Sequence, residues 1–185
     1  EPEIIVPLPN ESKGTFFTGI NSLLDSGPNQ RFAVFQTLVL TNTEMAHGSS
    51  INRFGLNVKY KQHFNLFTTI NGNFICETER VVSKTNTMST EDYLQCRAYA
   101  MILDAVLRFQ PIREIFKLLD NLSIPYSEFT TNLYEQMDSV SADIKKCVEN
   151  FKTDLMNEMH DTESEVIKYM YENQDDYMYG RKGWG

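Results

Sequence analysis

The chain has 185 residues, 41% of them hydrophobic and 12% aromatic, enough to bury one core and too many for a wholly disordered protein. Its 25 acids against 17 bases give a net charge of −8, which excludes a nucleic-acid binder with a strongly basic face. No apolar run reaches the roughly 18 residues of a membrane span, and no charged-then-apolar leader is legible at the start.

Residues 3–8 (EIIVPL) are apolar and β-branched, which predicts a short buried strand stopped by Pro7 and Pro9. Phe16, Phe17, Ile20, Leu23 and Leu24 then fall at helical spacing, with Asn10 or Ser12 as cap and Gly27-Pro28 as stop. Residues 31–40 (RFAVFQTLVL) are nearly continuous strand formers and predict a second buried strand. Strand, helix and strand in this order make a βαβ unit with parallel strands, the end of a larger sheet. Residues 41–65 are polar without a clean period and read as loop, with one helical turn near residues 50–54. Asn71-Gly72, between runs at 64–70 and 74–82, is a hairpin signal, because both turn residues must tolerate positive φ.

Ser89 and Asp92 form a capping-box pattern that opens the clearest helix, with Leu94, Ala98, Met101, Ala105 and Phe109 as its stripe. Tyr99, Ile102, Val106 and Leu107 widen that stripe, so neighbours must bury it. Pro111 starts another helix, with Ile112, Ile115, Phe116, Leu119 and Leu122 on its face, and Ile124-Pro125 breaks it. Ser127 is placed to cap a short helix. Ser139 or Ser141 is placed to open a longer one carrying Ile144, Val148, Phe151, Leu155 and Met159. Residues 163–171 form the last predicted helix, through Val166, Ile167 and Met170, and the tail 180–185 has no element of its own. Residues 135–176 hold twelve acids and four bases, so the whole net charge of −8 sits there. That run reads as a solvated helix face or as a docking surface for a protein partner.

Self-contained catalytic motifs are missing: there is no glycine-rich phosphate loop, nucleophile elbow or His-Glu-x-x-His. His47, His63 and His160 have no paired ligand spacing. Cys76, Cys96 and Cys147 are odd in number and widely spaced, which suits a reducing compartment and predicts a cytoplasmic location. Glu77 and Glu79 share one face of their strand, placed for acid–base work, for a cation, or for pairing with Arg53, Arg80 or Arg97. Glu11 follows directly after the first strand, at the carboxyl edge where parallel α/β folds bind ligands; it is equally a helix-start carboxylate.

The segment Glu3-Ile4-Ile5-Val6-Pro7-Leu8-Pro9-Asn10-Glu11-Ser12 resembles the late-barrel strand and Gly-Leu-Pro-Gly-Glu-Thr turn of radical SAM enzymes. Leu38-Val39-Leu40-Thr41-Asn42-Thr43-Glu44-Met45 resembles their next strand and its Gly-Thr exit. The stretch from Glu77 through Val81-Val82 and Thr87-Met88-Ser89 to Glu91-Asp92-Tyr93-Leu94 is similar to the region after the barrel in the cobalamin-binding subgroup. Arg53-Phe54-Gly55 and Tyr60 stand where that subgroup has an Arg-x-Tyr-Gly element. Pro7, Asn10 and Asn42 occupy motif glycine positions, and asparagine also tolerates the left-handed conformation.

The resemblance covers about residues 3–125 and implies an α/β fold: the last βαβ part of a partial TIM-type barrel, then a β-hairpin and a mainly helical C-terminal region. Residues 1–45 would end the barrel, 46–125 would form the hairpin and helices after it, and 126–185 the acidic helical region. The family's Cys-x-x-x-Cys-x-x-Cys and cobalamin domain are absent from this sequence. The expectation is therefore the C-terminal part of a longer enzyme, inactive alone. That enzyme would use S-adenosylmethionine (SAM), a 4Fe-4S cluster and cobalamin to start radical chemistry on a small-molecule or peptide substrate. Methyl transfer to an unactivated carbon is the commonest outcome in the subgroup. By position, Leu8, Glu11, Gln36 and Leu38 would lie near SAM, and Arg53, Glu77 and Glu79 on the substrate side. The competing readings are a non-catalytic helical interaction module and a fragment of a different α/β enzyme.

Overall fold

The computed structural model describes residues 2–27, 32–108 and 110–178. Pro28, Arg31, Phe109 and the tail 180–185 lie outside the described residues, as does the side chain of Ile112. The order is β1 (Glu3–Val6), α1 (Lys13–Asp25), β2 (Ala33–Gln36), a 3-10 turn (Glu44–Ala46), α2 (Gly48–Phe54), β3 (Asn57–Ile70) and β4 (Asn73–Lys84). Six helices follow: α3 (Thr90–Arg108), α4 (Gln110–Leu122), α5 (Tyr126–Val140), α6 (Ala142–Asn157), α7 (Glu163–Glu172) and α8 (Gln174–Met178). The fold is mixed α/β, with no closed barrel among the described residues.

β1 and β2 pair in parallel, from Glu3 opposite Ala33 to Val6 opposite Gln36, as the βαβ pattern predicts. The crossover helix α1 starts at a reciprocal box: the Ser12 hydroxyl accepts from Thr15 N (3.2 Å), and the Thr15 hydroxyl from Ser12 N (2.9 Å). One face of the pair, with Ile4, Val6 and Val34, packs on Phe16, Ile20 and Leu24 of α1 and on α3. The opposite face is bare: Ile5 and Phe35, partners across the ladder, are 45% and 48% exposed.

The strand expected over residues 31–40 is two short pieces with different partners. At Thr37 the chain passes from β1 to β4: Thr37 N still donates to Val6 O (3.0 Å), while Val82 N donates to Thr37 O (3.0 Å) and Val39 N to Arg80 O (2.8 Å), antiparallel to β4. Buried Thr37 turns its hydroxyl onto Pro7 O (2.7 Å). Helices cover only one side of the parallel pair, so Phe35 remains exposed where burial was expected, and Leu38 and Leu40, beyond the pair, are exposed as well.

Residues 41–65 hold more than the loop expected. The helical turn near residues 50–54 is present as α2, but the 3-10 turn and the first half of β3, which starts at Asn57, were not expected. Side chains such as Lys59 and Lys61 hid this strand, because its facing partners on β4 include Glu79 and Arg80 as well as Val81 and Val82. The hairpin turn behaves as predicted, with Asn71 at φ 51° and Gly72 at φ 80°. At the end of α2, Gly55 adopts φ 58°, and a Cβ there would stand 3.3 Å from the Cβ and backbone N of Asn86. Only glycine meets both demands.

α3 is the centre of the main core. Tyr93, Cys96, Ala98, Tyr99 and Leu103 are fully buried on it, and the Phe17 ring stacks on Tyr99 at 4.4 Å. Tyr126 and Met137 of α5 and Val148 of α6 belong to the same core. α5 has 15 residues where a short helix was expected, and Pro125, not Ser127, is its N-cap. Asp25 of α1 supplies the cap instead, accepting from Ser127 N (2.9 Å) and from its hydroxyl (2.6 Å). A second core forms where Phe74 of β4 meets Val166 and Met170 of α7 and Tyr177 of α8. No helix among the described residues is long and apolar enough to cross a membrane.

Candidate functional site

The carboxyl ends of β1 and β2 lie side by side, which is where a parallel α/β layer presents its loops. After β1 comes a cis Val6-Pro7 bond and a turn in which Asn10 adopts φ 65°. Glu11 closes this turn on itself: its N donates to Leu8 O (3.1 Å), and its carboxylate accepts from Leu8 N (3.2 Å). The Thr87 hydroxyl, from the loop after β4, holds Glu11 O at 2.7 Å. Burial pushes the Glu11 carboxyl above its ordinary range, and the Leu8 N–H bond opposes this. Beyond β2, Asn42 also adopts φ 65°, while Leu38 and Leu8 are 41% and 38% exposed. Leu8, Glu11 and Leu38 thus lie along one edge.

Gln36 is committed elsewhere. Its amide donates to Val82 O (3.3 Å) and to Met159 Sδ (3.5 Å), in the wedge between β2 and β4. The substrate-side candidates also have local roles. Arg53 sits exposed on α2 with its guanidinium 5.0 Å above the Phe54 ring. Glu79 pairs with Lys61 (3.2 Å) rather than with Arg53, Arg80 or Arg97, and Glu77 is exposed on the same strand face. Cys76, Cys96 and Cys147 stand on β4, α3 and α6. Burial, and then the nearby Glu11 and Asp92 carboxylates, push the Cys96 thiol up to about 12, so it is not a ready nucleophile. Among the described residues no group of three His, Cys, Asp or Glu side chains could hold a metal ion.

A polar cluster that the sequence did not disclose fills the junction of β2, the hairpin, α3 and the end of α6. Arg97 Nη1 donates to Val34 O (2.7 Å), on the flank of β2 turned away from β1. The Lys61–Glu79 pair lies close by on the hairpin, with side chains 23% and 17% exposed. Glu158, at the end of α6, feels Lys61, Asp154, Arg97 and Glu79, and desolvation raises its carboxyl above its ordinary range. The following residues pair with β3: Tyr60 N donates to His160 O (2.9 Å) and His160 N to Tyr60 O (2.8 Å). Lys59 bonds Asp161, and the Thr78 hydroxyl reaches Glu163 (2.7 Å). The one sequence signal for this cluster was a basic residue, Arg97, between the buried positions Cys96 and Ala98.

No protein-family model matches the chain, and no curated protein matches it in sequence.

Proposed function

We propose that this chain is the C-terminal part of a radical SAM enzyme of the cobalamin-binding kind, supplying the last parallel strands of a partial barrel and the cap that follows them. The observation that carries this reading is a βαβ unit clothed by helices on one face only, whose two exit turns place Asn10 and Asn42 at φ 65°. Those are two of the positions where the family motifs use glycine, and the left-handed conformation is what glycine provides there. The bare Ile5–Phe35 face is the one that further barrel strands would enclose.

Leu8, Leu38 and Glu11 fit the SAM side of such a barrel. The two leucines offer apolar surface to a nucleoside, and Glu11 fixes the turn beneath them. Gln36 would contribute only after leaving Met159. The residues present do not fit the 4Fe-4S cluster, whose ligands would come from outside this chain. No residue here is assigned to cobalamin. In such enzymes SAM and the cluster supply the radical, and the protein positions and shields the reactants.

The test is to read the coding frame upstream of Glu1. An open frame containing Cys-x-x-x-Cys-x-x-Cys, with iron and sulfide in the purified product, is the expected result. A frame that starts immediately before Glu1 would overturn the proposal.

A further inference from the structure

Among the described residues, four buried side-chain polar atoms have no hydrogen-bond partner: Arg80 Nε, Tyr93 Oη, Arg97 Nε and Thr131 Oγ1. Two of them, Tyr93 Oη and Arg97 Nε, belong to the junction cluster beneath the end of α6. Tyr93 is fully buried. Desolvation holds its hydroxyl up to about 12, so it keeps its proton and remains a donor. Both donors lie within electrostatic reach of one carboxylate, Glu158.

Glu158 opens the segment 158–161, which joins α6 to α7. Its carboxylate is not seated on the donors, since neither Tyr93 Oη nor Arg97 Nε has a hydrogen-bond partner. The segment is tied to β3 by the paired Tyr60–His160 bonds and by Lys59–Asp161, and to β2 by Met159 on Gln36. The groups facing Glu158 are Lys61 and Glu79 from the hairpin, Tyr93 and Arg97 from α3, and Asp154 from α6. Lys61 bonds Glu79 and Arg97 Nη1 bonds Val34 O, while Arg97 Nε–H and the Tyr93 hydroxyl are the buried donors of this group without a partner.

We propose that residues 158–161 are a strap with a second, closed seating, in which the Glu158 carboxylate accepts from the Tyr93 hydroxyl and from Arg97 Nε–H. Closure pairs two buried donors with a carboxylate that is already partly desolvated, each of which is unfavourable when left alone. Because Met159 sits on Gln36, the seating of the strap decides whether that amide is free at the end of β2. A gating role at a SAM edge rests on the function proposed above; the closed seating does not.

Thermal unfolding of the 185-residue chain tests it. If Tyr93 Oη stays orphaned, Tyr93→Phe removes an unpaired buried group and leaves Tm unchanged or raises it. The closed strap predicts a fall of about 2–4 °C, the shift that one hydrogen bond gives a chain of this size, and no fall when Glu158→Ala is already present. An unchanged or raised Tm in both backgrounds, or an equal fall in both, overturns the proposal. Amide exchange gives a second reading that needs no cooperative melt. Glu158→Ala should speed exchange at His160 and Tyr60 several-fold while α7 keeps its protection, and unchanged exchange overturns the strap. Neither readout involves a cofactor, so failure here is separate from failure of the upstream-frame test.

Discussion

Glu11 combines a carboxyl raised by burial with a structural bond to Leu8 N. An acid whose folded pKa lies above its unfolded value adds stability in its protonated form, fully present below the unfolded pKa and lost as pH rises through the folded one. Glutamine keeps an acceptor for Leu8 N without the charge. Glu11→Gln should therefore match the parent in urea midpoint at pH 4 and exceed it at pH 7, and equal midpoints at pH 7 would refute this. Much at this scale was legible from residue type. Asn10, Asn42 and Asn71 all take positive φ, and asparagine is the residue after glycine that does so at least cost. Gln36 was not legible, because its partner Met159 lies 123 positions away and a thioether advertises no hydrogen bond.

Elements came through the sequence according to how one-sided their burial is. α1, α3 and α7 have apolar stripes and side-chain caps and were readable, with Thr162 and Glu165 forming a reciprocal box at α7. The first half of β3 was not, because only Val58 and Tyr60 mark its packed side among polar residues, and its order comes from β4 and from His160. The start of α5 was not readable either, since its cap is the carboxylate of Asp25, far away in sequence. The small second core makes α7 and α8 a unit of their own. Met170 is fully buried there against Phe74, Val166 and Tyr177. Met170→Ala should cost about 2–5 kcal/mol, and it should do so locally. Hydrogen exchange should show lost protection in α7, α8 and the distal hairpin, with α3 unaffected; uniform loss would mean that the two cores unfold as one.

Across the whole molecule, part of the charge imbalance of residues 135–176 meets the hairpin. Asp161 and Glu163 bond Lys59 and Thr78, and Glu158 lies in the field of Lys61, while all three residues stay exposed, as a solvated face requires. Composition located the acids but could not place the basic strand opposite them. The apolar surplus lies at the other end, on the bare face of β1 and β2. Phe35 and Ile5 together form a hydrophobic spot on a two-stranded parallel pair, an arrangement that sheets ordinarily enclose. Phe35→Lys should change stability by no more than about 0.5 kcal/mol, because the ring is half exposed. It should also lower any concentration-dependent self-association that sedimentation measures. Indistinguishable mass distributions for parent and variant would show that this face does not drive association.

The divided allegiance of the second strand has a consequence for insertion and deletion. Residues 33–37 are measured off against β1, and residues 37–39 against β4, along one unbroken backbone. Adding or removing one residue near position 36 would shift one ladder against the other by a full side-chain step. It would exchange inward and outward positions on whichever side gave way. Neither neighbour can absorb that step, because Thr37 is already clasped to Pro7 O at the meeting point. This short stretch thus sets the phase between the βαβ unit and the hairpin, and its length is less free to drift than the length of any surface loop.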